Sequence, residues 1–520
     1  MKTMSNDISP RPLLSVWEIT AGCNMRCLHC GSSCDFVDPD ELTTEEALEV
    51  VRQMKEAGLK EITLSGGEPT TRKDILTISK ALSDANINIS WLSNGWLFNQ
   101  ELLDKAYLAG VKNIGMSLDG LEQTHDNIRC EGSFQRVMAT LDLLGETEIF
   151  SNINTTINKK NLGELRDIAT LLQKKRVQSW QLQIGLPMGN LKKNEKELLL
   201  APEDMIEIIE SLHEISQTQD YPKIYLADSI GYYHVQEIGL KRELMSADDS
   251  IWAGCGAGKS GFGVLNNGDI VPCTSLRNSD YVEGNFRADN LSKLWENGFS
   301  YFRDFSNEQL TGFCSDCTYS PICRGGCANT RHCTHGCIES ENIFCAYRVI
   351  VEKEVKSLPN APEWGELSEL IANLEHSKSF QILNSYLQKI ISLSAYTGEQ
   401  NRVLKNALAF TYFGMELYTK CICVCESVLL EDKNDVRALK GLGLAHYEIG
   451  QTELGKKYLY QSLALSTSDY MDSYTDLIAV LLNEGDVSEA TAIFYRQALD
   501  KNDNYQCEHF QSSIAVEAHV

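Results

Sequence analysis

The chain has 520 residues, with 72 acidic against 47 basic side chains and a net charge of -25, which argues against nucleic acid or an anionic membrane as the main partner. Its length predicts two to four domains rather than one core. The opening MKTMSNDISPRPLL lacks the apolar stretch of a signal peptide and no run is long enough to span a membrane, so most of the 18 cysteines are read as cluster ligands in a reducing cytoplasm, not as disulfides.

In chain order, SVWEIT, EITLSG, INISWLS, NIGMSLD, INTTIN and WQLQIGL read as strands over roughly residues 14–189. The segments between them, TTEEALEVVRQMKEAG through LGELRDIATLLQKK, carry helical periodicity. Such alternation predicts a parallel α/β sheet, closed or nearly closed as a barrel, with functional loops at the C-terminal strand ends. Residues 202–219 read as a further amphipathic helix, and residues 220–250 as a less regular bridge.

The strand ends carry the chemistry. After the first comes CNMRCLHC, with Cys23, Cys27 and Cys30 spaced C-x3-C-x2-C. Three such thiolates can hold three irons of a 4Fe-4S cube and leave the fourth open; a zinc site or buried structural thiols are the alternatives. Cys34 is read as a spare. Ser65, Gly66, Gly67, Glu68 and Pro69 follow the second strand, Ser93 and Asn94 the third, and Ser117 and Asp119 the fourth. Each loop alone could be an ordinary turn.

In this order the motifs resemble those of the radical S-adenosylmethionine (SAM) enzymes. The resemblance implies a partial (β/α)6 TIM-like barrel, in which SAM chelates the open iron of a cluster on Cys23, Cys27 and Cys30. It implies that His29 lies against the adenine, that Gly66, Gly67 and Glu68 meet the methionine amino group, and that Asn94 joins the SAM contacts. Ser117 and Arg129, within SLDGLEQTHDNIR, are implied near the carboxylate and ribose, an arginine fork suiting a carboxylate. Leu186, between Gly185 and Pro187, is implied at the adenine. Cys130 departs from the usual glycine.

A second cysteine field begins at Cys255 and continues through Gly268-x4-Cys273 and Cys314-x2-Cys317-x5-Cys323-x3-Cys327 to Cys345. It resembles the SPASM domain of radical SAM enzymes that modify peptides and proteins. By that resemblance Cys314, Cys317, Cys323 and Cys345 hold an outer auxiliary 4Fe-4S cluster, and Cys255, Cys273 and Cys327 an inner one. The inner set is one ligand short: either Cys333 or Cys337 completes it, or an iron stays open to a substrate group.

Beyond a linker, helical periodicity returns, and Gly414, Gly450 and Gly485 recur at intervals of 36 and 35 residues. Leu442, Gly443, Tyr447, Gly450 and Leu463 resemble a tetratricopeptide (TPR) repeat, with a degenerate helix pair expected near Leu367. Stacked helix pairs suit peptide binding or serve as a packing cap. Cys421, Cys423 and Cys425 are read as core residues, since only the first and last share a helix face; His446 is expected on a helix surface. The expected division is a radical SAM core over 1–230, a bridge over 231–250, a SPASM domain over 251–357, a linker over 358–365, TPR-like repeats over 366–505 and a tail over 506–520.

The family resemblance implies SAM and three 4Fe-4S clusters, one binding SAM and two auxiliary. It implies an oxidoreductase that makes a 5'-deoxyadenosyl radical, abstracts hydrogen from a ribosomally made precursor peptide and forms a thioether, C-C or ether crosslink. The expected partners are that peptide, recognised by the TPR-like region or by a separate leader-recognition protein, and a reductant such as flavodoxin or ferredoxin, with no nucleic acid and no membrane. A sulfatase-maturing (formylglycine-forming) enzyme and a quinone or haem cofactor maturase are the alternatives, with a non-enzymatic iron-sulfur scaffold last.

Overall fold

The computed structural model describes residues 11–218, 221–227, 229–242, 252–466 and 472–501. The expected tail and residues 243–250 of the expected bridge lie outside the described residues. The chain divides into two compact units, residues 1–315 with 319–349 and residues 316–318 with 350–520.

All six expected strands form in the first unit: β1 (Leu14–Glu18), β2 (Glu61–Ser65), β3 (Asn88–Ser93), β4 (Val111–Ser117), β5 (Phe150–Ile157) and β6 (Ser179–Ile184). Each pairs in parallel with the next. Alternation drives this, because a strand's side chains face opposite sides in turn and every second residue can be buried. Trp17 of β1, Trp91 of β3 and Trp180 of β6 are wholly buried. The indole N–H of Trp91 donates to Ser79 Oγ at 3.1 Å and that of Trp180 to Thr155 Oγ1 at 2.8 Å, whereas that of Trp17 has no hydrogen-bond partner among the described residues. The crossover helices turn apolar faces to the sheet. The first, Thr44–Glu56, starts at a reciprocal cap between Thr43 and Glu46 and buries Ala47, Val50, Val51 and Met54.

The sheet is longer than expected. Within residues 220–250, read as irregular, β7 (Lys223–Leu226) pairs in parallel with β6, and a helix spans Val235–Arg242. Four residues without strict alternation become a strand because β6 offers an open edge. On the other flank β8 (Gly261–Val264) pairs in parallel with β1, β9 (Asp269–Val271) lies antiparallel to β8, and β10 (Gly284–Asn285) antiparallel to β9. One ten-stranded sheet results, ordered β10-β9-β8-β1-β2-β3-β4-β5-β6-β7. Its ends do not meet, so the barrel is partial.

The second unit is helical. Helices Trp364–His376, Phe380–Ser392, Gly398–Gly414, Tyr418–Glu431, Val436–Glu448, Thr452–Leu465, Asp472–Asn483 and Val487–Lys501 form four hairpins, the first being the pair expected near Leu367. Each hairpin turns on one left-handed residue: Lys378 (φ 55°), Glu416 (φ 61°), Gly450 (φ 82°) and Gly485 (φ 80°). The equivalent of Gly450 in the preceding hairpin is therefore Glu416 and not Gly414. Gly414 ends a helix where an added Cβ would stand 2.7 Å from the Phe380 ring, so packing and not turn geometry requires a glycine there. Cys421 and Cys425 are buried and Cys423 is exposed, as one helix face dictates. His446 differs from expectation: it is buried, bonded to Gln451 Oε1 at 2.8 Å and stacked on Tyr458. Among the described residues no helix is long and apolar enough to cross a membrane.

Candidate active site

The loops after β1 to β4 and β6 meet at one mouth of the sheet. The segment leading from β1 to the cysteines is held by the glycine pair: Gly67 N–H donates to Thr20 O at 2.8 Å and Glu68 N–H to Gly22 O at 2.8 Å. A Cβ on Gly66 (φ 141°) would fall 2.3 Å from Thr20 O, and one on Gly67 2.2 Å from Gly22 O. Glycine is needed here for the protein's own backbones to touch.

Glu68 is fully buried. Its carboxylate accepts from Thr70 N–H (3.1 Å), Thr70 Oγ1 (2.5 Å), Ser93 Oγ (2.8 Å) and Asn94 N–H (2.7 Å). Burial pushes its carboxyl above the usual range, and these donors oppose the shift. Glu68 thus splices the β2 and β3 loops. Asn94 in turn donates to Asn24 Oδ1 at 2.7 Å, inside the cysteine loop.

Asp119, after β4, is the hub. Its Oδ2 accepts from His29 Nε2 at 2.7 Å and Arg129 Nε at 2.5 Å, and its Oδ1 accepts from Thr156 N–H at 2.8 Å. Burial alone would raise its pKa, but Arg129 and His29 hold the carboxyl well below the usual range. Arg129 reaches on, with Nη1 3.9 Å from Cys27 Sγ. Arg129 is therefore a buried ion-pair partner. His125 Nδ1 accepts from Asp119 N–H at 3.1 Å, and burial, with Arg129 adding, lowers its pKa to about 4. Asp126 caps the Ser133–Leu144 helix through Gly132 and Phe134 N–H.

Cys27 is buried, and Cys23 and Cys30 are partly so. Burial pushes the Cys27 thiol up to about 11, with Arg129 opposing and Cys30 and Cys23 close enough to add. The loop carrying them is clasped from the far side of the mouth. Asn190 N–H donates to Cys30 O at 2.8 Å, Asn190 Nδ2 to Cys27 O at 3.2 Å and Asn194 Nδ2 to Leu28 O at 3.0 Å. Leu186 is buried in the segment leading there, and Ser117 is half-buried at the end of β4. Glu18 also faces this region, bonded to Arg277 beside Ser32. Cys34 lies near Glu18, Cys30 and Arg277, and burial pushes it up to about 12.

In the second cysteine field Cys314, Cys317, Cys323 and Cys345 are buried, and Cys255, Cys273 and Cys327 are half-buried. Cys314 Sγ accepts from Asn342 N–H at 3.4 Å, and Cys327 N–H donates to Tyr232 Oη at 2.9 Å. Cys327 caps the helix Ala328–His335. Of the two further candidates, Cys333 is half-buried with Sγ 3.3 Å from Asn329 Oδ1 and 3.9 Å from Met188 Sδ, whereas Cys337 is exposed. Cys255 opens onto about 290 Å³ of space, part of it continuous with solvent, that it lines with Lys259, Arg324, Arg331 and the rings of Phe302 and Phe305.

Residues 17–172 match the radical SAM superfamily and residues 255–318 the SPASM iron-sulfur cluster-binding domain. An AdoMet-dependent heme synthase of Methanosarcina barkeri is 30% identical over 348 residues, 65% of this chain and 97% of that protein. The chain belongs to the radical SAM superfamily. As a radical SAM protein with a SPASM domain it is an enzyme that uses SAM and iron-sulfur clusters. It is also similar to mycofactocin maturase MftC of Mycobacterium tuberculosis, at 25% identity over 61% of this chain and 78% of that one. Streptococcus suis SuiB bound to precursor peptide SuiA shares the fold with TM-score 0.52 at 18% identity, covering 64% of this chain and 75% of that chain. So does anSMEcpe with bound AdoMet, with TM-score 0.54 at 20% identity, covering 66% and 93%.

The mouth of this radical SAM protein fits those cofactors. Cys23 and Cys30 lie close enough to Cys27 to act on its thiol, as three thiolates on three irons of one cube must. His29 keeps a buried Nδ1 with no hydrogen-bond partner, and Arg129 presents its guanidinium beside Cys27. Asp119, Asn190 and Asn194 escaped sequence reasoning as site organisers, and only Asp119, inside SLDG, carried any signal there.

Proposed function

We propose that this enzyme matures a ribosomally made precursor peptide by forming an oxidative crosslink, a thioether, C-C or ether bond. In this reading Cys23, Cys27 and Cys30 hold the SAM-binding cluster. Cys255, Cys273 and Cys327 hold an inner auxiliary cluster, and Cys314, Cys317, Cys323 and Cys345 an outer one. When bound, the first cluster and SAM supply a carbon radical that removes hydrogen from an unactivated carbon. The chain's own part is placement. Asp119 aims Arg129 and His29 into the mouth, Glu68 fixes the Ser93–Asn94 turn, and Asn190 and Asn194 hold the carbonyls of the cysteine loop. Gly66, Gly67, Asn94, Ser117 and Leu186 complete the proposed SAM contacts.

The observation that carries the peptide reading is the set of helical hairpins beyond residue 360. The heme synthase is matched over 97% of its length by only 65% of this chain, and both matched domains end before residue 360, which supports reading the hairpins as additional to a shared core. Helix pairs with repeated turns suit an extended chain as ligand. The limits 1–230, 251–357 and 366–505 belong to the same proposal, as do a flavodoxin or ferredoxin reductant and a separate leader-recognition protein.

The test is to co-express the chain with the short peptide encoded beside its gene and weigh the product. Loss of two hydrogens per crosslink is expected, with none from a Cys27→Ala variant. The 30% identity to a heme synthase favours one second reading, modification of a haem-type tetrapyrrole. Release of 5'-deoxyadenosine on adding an iron porphyrin, with the peptide mass unchanged, would establish that instead.

A further inference from the structure

We infer that Lys259, Arg324 and Arg331 form a cationic cradle around the inner auxiliary cluster, and that their charge raises the potential at which this cluster is reduced. The inference rests on the reading that the Cys255 set holds a cluster.

Arg331 is 1% exposed. Its Nε has no hydrogen-bond partner, its Nη1 donates to the Ile338 carbonyl, and the guanidinium lies 4.9 Å over the Phe305 ring. A buried cation left so incompletely satisfied is costly unless negative charge stands nearby. The groups of opposite sign that act on it most are Cys314, Cys255 and Cys327, thiols drawn from both auxiliary sets.

Arg324 supplies a second sign. Arg324, Gly325 and Gly326 stand at φ 53°, 78° and 71°, a left-handed run between Cys323 and Cys327. Glycine is the usual residue in that conformation, yet the first place is an arginine whose side chain passes Gly254 and lines the space beside Cys255. Lys259 lines the same space, half-buried, with Asp304 the carboxylate that acts on it.

A thiolate-held cluster is anionic and gains one more negative charge on reduction, so adjacent cations favour the reduced state.

The experiment is an EPR-monitored redox titration of the full chain, reconstituted anaerobically, with Arg331→Gln, Arg331→Lys and Lys259→Gln. Each glutamine variant is expected to lower the reduced-to-oxidised ratio of an auxiliary cluster about tenfold at fixed applied potential, about 59 mV for a one-electron couple. The SAM-binding cluster should stay put, and Arg331→Lys should titrate like the parent. Unchanged midpoints in both glutamine variants at full iron content would overturn the inference, as would a lysine variant that shifts as far as glutamine. If Arg331→Gln fails to retain its clusters, Lys259→Gln decides alone. Iron analysis of the parent tests the underlying reading separately, since iron for the SAM cluster alone would remove it before any variant is made.

Discussion

Replacing Asp119 by asparagine keeps the size of the side chain and removes the charge on which the mouth is organised. The carboxylate is wholly buried and accepts from His29, Arg129 and Thr156. Two unit charges about 4 Å apart at an effective dielectric near 20 attract by about 4 kcal/mol, and removing one partner of a buried pair costs about 3–5 kcal/mol. Asp119→Asn should therefore lose about 3 kcal/mol in urea denaturation of the first unfolding transition, and should weaken SAM binding as Arg129 and His29 lose their aim. A double-mutant cycle with Arg129→Met isolates the pair. If the stability cost is the uncompensated Arg129 charge, the double variant recovers most of it while SAM binding stays weak. A loss below about 1 kcal/mol, or a double variant worse than the sum of its parts, would refute the reasoning.

Glu68→Gln removes an acceptor from the donors that splice two loops and should cost about 1–3 kcal/mol, read as a lower urea midpoint and weaker SAM binding by equilibrium dialysis. His125 titrates near 4 in the fold against an ordinary 6.5, so the folded state binds its proton less readily than the unfolded one. Its contribution is complete above the unfolded value and is lost as pH falls toward the folded one, about 2 kcal/mol between pH 7 and pH 5; denaturation of His125→Phe should show a flatter pH dependence. In the second unit Gly450→Ala should cost about 1–2 kcal/mol, because only its left-handed backbone resists the change. Gly414→Ala should cost about 1–3 kcal/mol by overpacking Phe380, and calorimetry of the two variants checks both.

The parallel strands were legible because β1 to β6 each bury alternate or successive apolar residues long enough to leave a pattern. The KIYL of β7 and the GFGV of β8 were not, since four residues become a strand only when a neighbour offers an edge. The cysteine spacings announced the cluster loops directly, because ligand geometry constrains short sequence intervals. Asp119 was visible only as part of a turn: its importance comes from His29, Arg129 and Thr156, which converge on it from three other segments. Asn190 and Asn194 gave no signal, an asparagine that holds a distant carbonyl being indistinguishable in sequence from one that faces water. The glycine spacing departs from the hairpin period by two residues in one copy because Glu416 and Lys378 adopt a conformation that elsewhere in the array falls to glycine.

The ladder between β1 and β8 has a consequence for how the chain can be divided. β1 is an interior strand only because β8, contributed from beyond residue 260, lies against it. A chain cut before Cys255 would keep the residues that carry the SAM motifs yet present β1 as a bare edge, with Leu13, Leu14 and Val16 already open to solvent. An unpaired apolar edge invites pairing with another molecule. Such a fragment should therefore be recovered as aggregates, and the segment that houses the auxiliary cysteines also acts as the selvedge that keeps the catalytic sheet from unravelling into its neighbours.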